Sequence, residues 1–372
     1  MTCAMRILQL VHSLDRGGAE RVVLELDLGA RAVGHRSLVT MLQDSNAFGE
    51  PRYASVDTRF LLAPEQYRWP LYVPPASARL RAIAKEWKPD ILFVHTPDVA
   101  IVAGWARLTV PSAQVIHCYW DVSSGNPVKE SWRRAVSRWA FARIGRRGVL
   151  VAPHLLEDSR RYLGCPEDRF RCVENGVDLD SFAFKRREAT EAPRIVIVGC
   201  LIPFKRPELG IRAFSLLLRE FPRARLALAG DGPMRPRLEA FCGELRLRDS
   251  VDFLKYRADL PEVLAECHAC WHVARSEGFG LAAAESMATG LPVVGMDVPG
   301  RRELLGDRKG GMLVPDGDIE SLAQRTVRLL QDDAAYGYMS TGARLIAERH
   351  FDVRRMVEQY LALAADAASG KW

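Results

Sequence analysis

Short apolar runs alternate along this chain with stretches in which apolar residues recur at helical spacing. The runs are Arg6–His12, Ser37–Leu42, Ile91–His95, Gln114–His117, Val149–Ala152, Arg194–Gly199, Arg225–Gly230, Val251–Leu254, Ala269–Val273 and Pro292–Met296. Helical spacing between them is typified by Ile211, Phe214, Leu217 and Leu218, which follow Lys205. Strands that are apolar on both faces and alternate with amphipathic helices predict an α/β chain of parallel sheets covered on each side. Ligands of such sheets bind beyond the C-terminal ends of the strands, so the loops after the apolar runs are where chemistry is sought.

The alternation pauses over Leu179–Pro193, a charged stretch without period that follows the turn signal Asn175-Gly176. It reads as an interdomain linker. Residues 1–180 then form one α/β domain and residues 181–350 a second. Residues 351–372 carry a terminal helix pattern, Phe351–Ala367, with no strand after it, free to pack across the linker. A length of 372 residues suits two domains, because single cores stop growing near ~250–300 residues. With 48% hydrophobic and 26% charged residues, wholesale disorder is excluded. No apolar run approaches the ~18–20 residues of a membrane-spanning helix, and Met1–Glu20 reads as a strand and loop, not as a signal peptide. Eight scattered cysteines fit reduced thiols in the cytoplasm.

The net charge of +6 changes the picture only once it is located. Lys129–Arg147 holds seven basic residues and one acid, Glu130, so this stretch alone carries the net charge of the whole chain. A general basic footprint and any nucleic-acid motif are missing, and nucleic acid is not an expected partner. Trp132, Ala135, Val136 and Trp139 recur there at helical spacing. Two readings follow: a surface helix whose apolar stripe joins the core, or an interfacial helix that meets the inner, anionic face of a membrane.

Four loops carry candidate chemistry. Glu277-Gly-Phe-Gly-Leu-Ala-Ala-Ala-Glu285 follows the run Ala269–Val273 and opens a helix near Leu281. Its glycines permit close backbone approach, and free amides at a helix start favour a phosphate. Glu277 and Glu285 could accept hydrogen bonds from hydroxyls on either side of it. Gly199–Lys205 with Arg206 places cations at the mouth of a parallel sheet, which suits a diphosphate. Gly230-Asp231-Gly232-Pro233 ends another strand but lacks the dinucleotide spacing GxGxxG, so no nicotinamide site is expected. Asp15-Arg16-Gly17-Gly18-Ala19-Glu20 is a glycine loop between the first strand and first helix.

In order and spacing these loops, together with Asn175-Gly176-Val177-Asp178 and Glu285-Ser-Met-Ala-Thr-Gly-Leu-Pro292, resemble the family 4 retaining glycosyltransferases of the GT-B fold over nearly the whole chain. The resemblance implies two Rossmann-like domains facing across a cleft. The N-terminal one would bind the acceptor, the C-terminal one the nucleotide sugar, and the final helix would cross back to the first. It implies that Glu277 contacts hydroxyls of the transferred sugar and that the amides of Gly278, Phe279, Gly280 and Leu281 lie near sugar and phosphate. Glu285 would bind the ribose and Lys205 the diphosphate, with Gly18 approaching from the other domain. Tyr256, in Lys255-Tyr256-Arg257, would border the base. His117 matches a histidine near the reacting carbon, and His95 is a second acceptor-side candidate. Where the family usually places Arg after the glycine at Gly199, this chain has Cys200, so Arg206 either compensates or the phosphate rests on Lys205 and helix dipoles.

Two further patterns are set aside. Asp178-Leu-Asp180 mimics a metal-binding DxD but sits at a turn, and Cys267-His-Ala-Cys270-Trp-His272 alternates like a buried strand with structural thiols. No metal and no cofactor is expected beyond the nucleotide sugar, a co-substrate. The expected activity is metal-independent, retaining transfer of a hexose, with UDP-sugar as the favoured donor and a saccharide, lipid-linked or small-molecule acceptor. The rivals are a nucleotide-sugar epimerase and a catalytically silent nucleotide-sugar-binding protein.

Overall fold

A computed structural model describes residues 4–15, 17–45, 50–118, 126–188, 190–306 and 310–372. The chain divides into two units, Met1–Gly176 with Val353–Trp372, and Val177–Asp352.

The first unit is built on strands β1 (Arg6–Val11), β2 (Arg36–Gln43), β3 (Thr58–Leu62), β4 (Ile91–Val94), β5 (Ser112–Ile116), β6 (Gly148–Leu150) and β7 (Phe170–Cys172). Helices α1 (Gly18–Ala32), α2 (Val73–Trp87), α3 (Pro97–Ala106), α4 (Pro127–Arg143) and α5 (Leu155–Leu163) connect them. The strand order is β3-β2-β1-β4-β5-β6-β7, and the registered pairs are parallel. Parallel neighbours need crossovers, which the helices supply. The order reverses between β1 and β4, so the loops leaving these two strands diverge and open a crevice. Of α4 only Ala140 and Phe141 are buried, and the apolar stripe bearing Trp132 and Trp139 stays at the surface instead of joining the core.

The second unit holds β8 (Arg194–Val198), β9 (Arg225–Ala229), β10 (Val251–Lys255), β11 (Ala269–His272), β12 (Val293–Met296) and β13 (Gly311–Val314). Its helices are α6 (Pro207–Leu217), α7 (Arg235–Glu244), α8 (Leu260–Ala265), α9 (Leu281–Ala288), α10 (Ile319–Gln331) and α11 (Asp333–His350). The order β10-β9-β8-β11-β12-β13, again parallel, reverses between β8 and β11. Trp271, wholly buried in β11, donates from Nε1 to Thr326 Oγ1 at 2.8 Å, so its one polar atom is satisfied within the core.

Residues 179–193, expected as a linker, lie inside this unit. Leu179 and Phe182 are buried, and Arg187 donates to the carbonyls of Leu264, Cys267 and Thr289. The last helix, α12 (Val353–Ala368), belongs to the first unit. Its Tyr360 packs edge-on against Phe93 of β4 at 5.3 Å.

Candidate functional site

In the second unit the chemistry gathers where the sheet order reverses. The loop after β8 runs from Gly199 to Arg206, and the loop after β11 runs from Val273 to Gly280. The two are laced together by the amide of Arg275, which donates to the Phe204 carbonyl at 3.0 Å. Lys205 Nζ donates to Glu277 Oε1 at 2.6 Å, joining residues 72 apart in the chain. The neighbouring loop from β9 presses close: a Cβ on Gly230 would lie 2.0 Å from the Gly199 carbonyl oxygen.

Gly280 occupies the left-handed region at φ 95° and caps α9. The Ala283 and Ala284 amides donate to the Gly280 carbonyl at 2.9 and 3.1 Å, and the amides ahead of them come before the first helical bond, where a helix start favours an anion. The Phe279 ring is turned inward, edge-on to Phe351 at 5.4 Å, so only its backbone faces the loop. Gly278 is buried, Leu281 opens the helix and Glu285 sits buried one turn along. Tyr256 follows β10, half-buried, beside Lys255, whose φ of 59° marks a bulge in the strand register.

Beneath the Glu277 loop lie two groups that sequence reasoning missed. His272 Nε2 is 3.5 Å from Glu277 Oε1, and burial, with Arg301 and Lys205 nearby, pushes this imidazole well below its ordinary pKa. Arg301 is 1% exposed and donates to the carbonyls of His272, Met296 and Ala274 at 2.8, 2.8 and 3.0 Å. Burial pulls its guanidinium down to about 10, opposed by the charge of Glu277. Arg206 is spent elsewhere: it donates to the carbonyls of Val273 and Ala274 and forks onto Asp316 at 2.6 and 3.2 Å. Cys200 is exposed. The site therefore concentrates cations, loop amides and the carboxylates of Glu277 and Glu285, an arrangement that fits an anionic group flanked by hydroxyls.

The first unit carries a cavity of about 560 Å³ at its own reversal point. Gly18 and Glu20 of α1, His95 after β4 and His117 after β5 line it. Arg16 of the same glycine loop lies outside the described residues. His95 Nδ1 is 3.2 Å from His117 Nε2, and the outer nitrogens, His95 Nε2 and His117 Nδ1, have no partner among the described residues. Burial lowers His117 to about 4 and His95 well below its usual value, so the pair is neutral near pH 7. Near the cavity His12 hydrogen-bonds Asp98, which raises the His12 pKa.

The set-aside patterns have structural work of their own. Asp178 accepts from the amides of Asp180 and Ser181 and from the Ser181 hydroxyl, which makes it a turn cap. Cys267 and Cys270 are buried, and burial pushes their thiols up to about 12 and about 11. Among the described residues no three His, Cys, Asp or Glu side chains gather as a metal-ligand group, and no helix is long and apolar enough to cross a membrane.

The family model described as glycosyl transferases group 1 matches residues 179–345, and that of glycosyltransferase family 4 matches residues 16–181. An exopolysaccharide phosphotransferase of Streptomyces coelicolor is 33% identical over 181 residues, 48% of this chain and 19% of that protein. The chain likewise spans only 59% and 24% of two other curated relatives. The N-acetylgalactosamine-N,N'-diacetylbacillosaminyl-diphospho-undecaprenol 4-alpha-N-acetylgalactosaminyltransferase of Campylobacter jejuni is 25% identical, covering 87% of this chain and 89% of its own. Anabaena HepE, solved with UDP-glucose, superposes with a TM-score of 0.81 at 22% identity, over 98% of this chain and 100% of that one.

Proposed function

Because the chain belongs to the family 4 glycosyltransferases of the GT-B fold, we propose that it transfers a hexose from a UDP-sugar, with retention and without a metal, to a saccharide, lipid-linked or small-molecule acceptor. The observation that carries this is the Lys205–Glu277 pair across the reversal of the second sheet, beside the capped start of α9. Donor binding would exchange that pair for better partners. Lys205 takes the diphosphate, together with the amides of Gly278, Phe279, Gly280 and Leu281, while Glu277 takes sugar hydroxyls. As the bond from the anomeric carbon to phosphate oxygen breaks, charge builds on the phosphate where these donors wait. The acceptor oxygen bonds to the same face of that carbon, and its proton passes to the departing phosphate. Glu285 holds the ribose, Tyr256 borders the base, and His95 and His117 serve the acceptor side.

UDP is favoured because HepE, which shares the fold, was solved with UDP-glucose. A place in polysaccharide assembly, on the cytoplasmic side and with Lys129–Arg147 at an anionic membrane, agrees with the undecaprenol-linked substrate in the name of the Campylobacter relative. Incubation with a panel of nucleotide sugars, read by mass spectrometry with and without a chelator, tests the reading. Transfer that survives chelation supports it. Isomerisation of the donor means an epimerase, and binding without turnover a silent receptor. Lys205→Met should lower turnover by about 10²–10³; unchanged turnover would remove Lys205 from the site.

A further inference from the structure

The face of α4 that the core leaves uncovered is continued by two other elements. Val128, Trp132, Trp139 and Arg143 share one face at helical spacing. Trp69, from the loop between β3 and α2, meets Trp132 edge-on at 5.9 Å, and Trp105 of α3 lies 6.3 Å from Trp139. Two tryptophan pairs thus run along the helix, and Leu71 follows two residues after Trp69 in the chain. Exposure is high: Leu71 72%, Val128 77%, Trp69 50%, Trp132 51% and Trp105 52%. Large apolar side chains gathered in this way mark an interaction surface.

Basic groups rim the strip. Lys129 and Arg133 are exposed on α4, Arg143 lies over the Trp139 ring at 5.8 Å, and Arg81 of α2 donates to the Trp105 carbonyl. Arg134 and Arg138 turn instead toward α5, the first over the Tyr162 ring, the second bonded to the Arg161 and Tyr162 carbonyls. We infer that this surface docks on an anionic lipid bilayer, with Trp69, Leu71, Val128 and Trp132 entering the headgroup boundary and the basic rim meeting lipid phosphates. Tryptophan with flanking cations is the composition that such an interface selects. A second copy fits poorly, because a two-fold pairing of this patch would set its cations against one another.

The consequence concerns the acceptor, and here the inference rests on the transferase reading. Trp132 and Arg133 also line the 560 Å³ cavity that holds His95 and His117. A saccharide on a lipid carrier would therefore reach the histidines without its carrier leaving the bilayer. The acceptor class narrows to lipid-linked saccharides.

The test is flotation of the full-length protein with phosphatidylcholine vesicles, with and without phosphatidylglycerol, at low and high salt. Quenching of tryptophan fluorescence by brominated lipid reads insertion. Binding that needs phosphatidylglycerol, weakens with salt and quenches fluorescence is expected. Leu71→Asp and Val128→Asp, at positions too exposed to disturb the fold, should each weaken it about tenfold while UDP affinity by calorimetry stays at the parent value. Wild-type protein that ignores phosphatidylglycerol vesicles overturns the inference. So does binding without quenching that both variants retain, since that is adsorption of the basic rim alone, and so does a solution dimer that the same variants dissociate. Failure of the transferase reading is seen separately, as absence of UDP binding.

Discussion

At the scale of single residues, buried Arg301 and half-buried His117 each make a claim that can be measured. Arg301 spends its guanidinium on the His272 and Ala274 carbonyls of the chain that enters the Glu277 loop and on the Met296 carbonyl at the end of β12, so it fixes the loop's path as well as adding positive charge beneath it. Arg301→Met should cost about 3–5 kcal/mol in urea unfolding, because buried acceptors lose their donor, and should weaken UDP binding. Arg301→Lys should recover part of the charge effect and little of the stability. Equal UDP affinity in parent and both variants would leave Arg301 a purely structural residue. In the first unit, His117 is neutral in the fold down to about pH 4 and titrates near ~6.5 when unfolded. The unfolded chain thus takes up its proton first as pH falls. Its contribution is intact above pH ~6.5 and erodes by about 1.4 kcal/mol per unit below, reaching about 3 kcal/mol near pH 4. His12, raised by its hydrogen bond to Asp98, acts in the opposite sense, which cancels when parent and His117→Asn are compared. Stability of the variant should fall less steeply between pH 6.5 and 4; parallel curves would refute the assignment. Lys205 and Glu277 were legible because each follows an apolar run in a glycine-bearing loop. Their direct bond was not, nor was the diversion of Arg206 to Asp316, since sequence patterns report burial and turn chemistry but not partners 72 or 110 residues away.

Among elements, the pattern reading found the central strands and missed β3, β7 and β13. All three lie at sheet edges. An edge strand has one neighbour and is covered less completely, so its apolar run is diluted: β7 buries only Phe170, and β13 only Val314. Helix α4 misled for a related reason, because helical spacing of tryptophans reports a common face without saying whether anything covers it. The glycine loops were legible in kind, and their geometry sets what they tolerate. At Gly230 any side chain would drive Cβ into the Gly199 carbonyl oxygen at 2.0 Å, and backbone cannot yield as a flexible side chain could. Gly230→Ala should therefore destabilise the second unit by more than about 3 kcal/mol, with weakened UDP binding as the Lys205 loop shifts. A variant as stable as its parent by thermal unfolding would mean that the β8 and β9 loops are not locked together.

At the scale of the whole molecule, the chain crosses between its units twice, at residues 176/177 and 352/353. Val177 pairs with Asp352 in a parallel bridge, and its amide donates to the Phe351 carbonyl at 2.6 Å, so the second unit begins and ends at one place. It is a continuous insert with its own core. The first unit is not continuous. Its fold depends on α12, which buries Val357 against α1 and Tyr360 against β4, while the sulfur of buried Met356 accepts from the Gly176 amide at 3.1 Å. The fit with α1 is close: a Cβ on Gly29 would lie 2.4 Å from a Val357 methyl. Arg147 Nε also donates to the terminal Trp372 carbonyl at 2.6 Å. Three large side chains at about 1.5–3 kcal/mol each are comparable to the ~5–15 kcal/mol that holds an ordinary domain together. Residues 177–352 expressed alone should fold cooperatively and bind UDP with the affinity of the full chain's donor site, whereas residues 1–176 alone should not fold. Joining residues 353–372 to the N-terminus of the 1–176 fragment through a flexible linker should restore cooperative unfolding, because that helix lacks only its connection. Cooperative unfolding of the 1–176 fragment without α12 would show instead that the helix is an accessory, and the dependence of the first unit on it would fall.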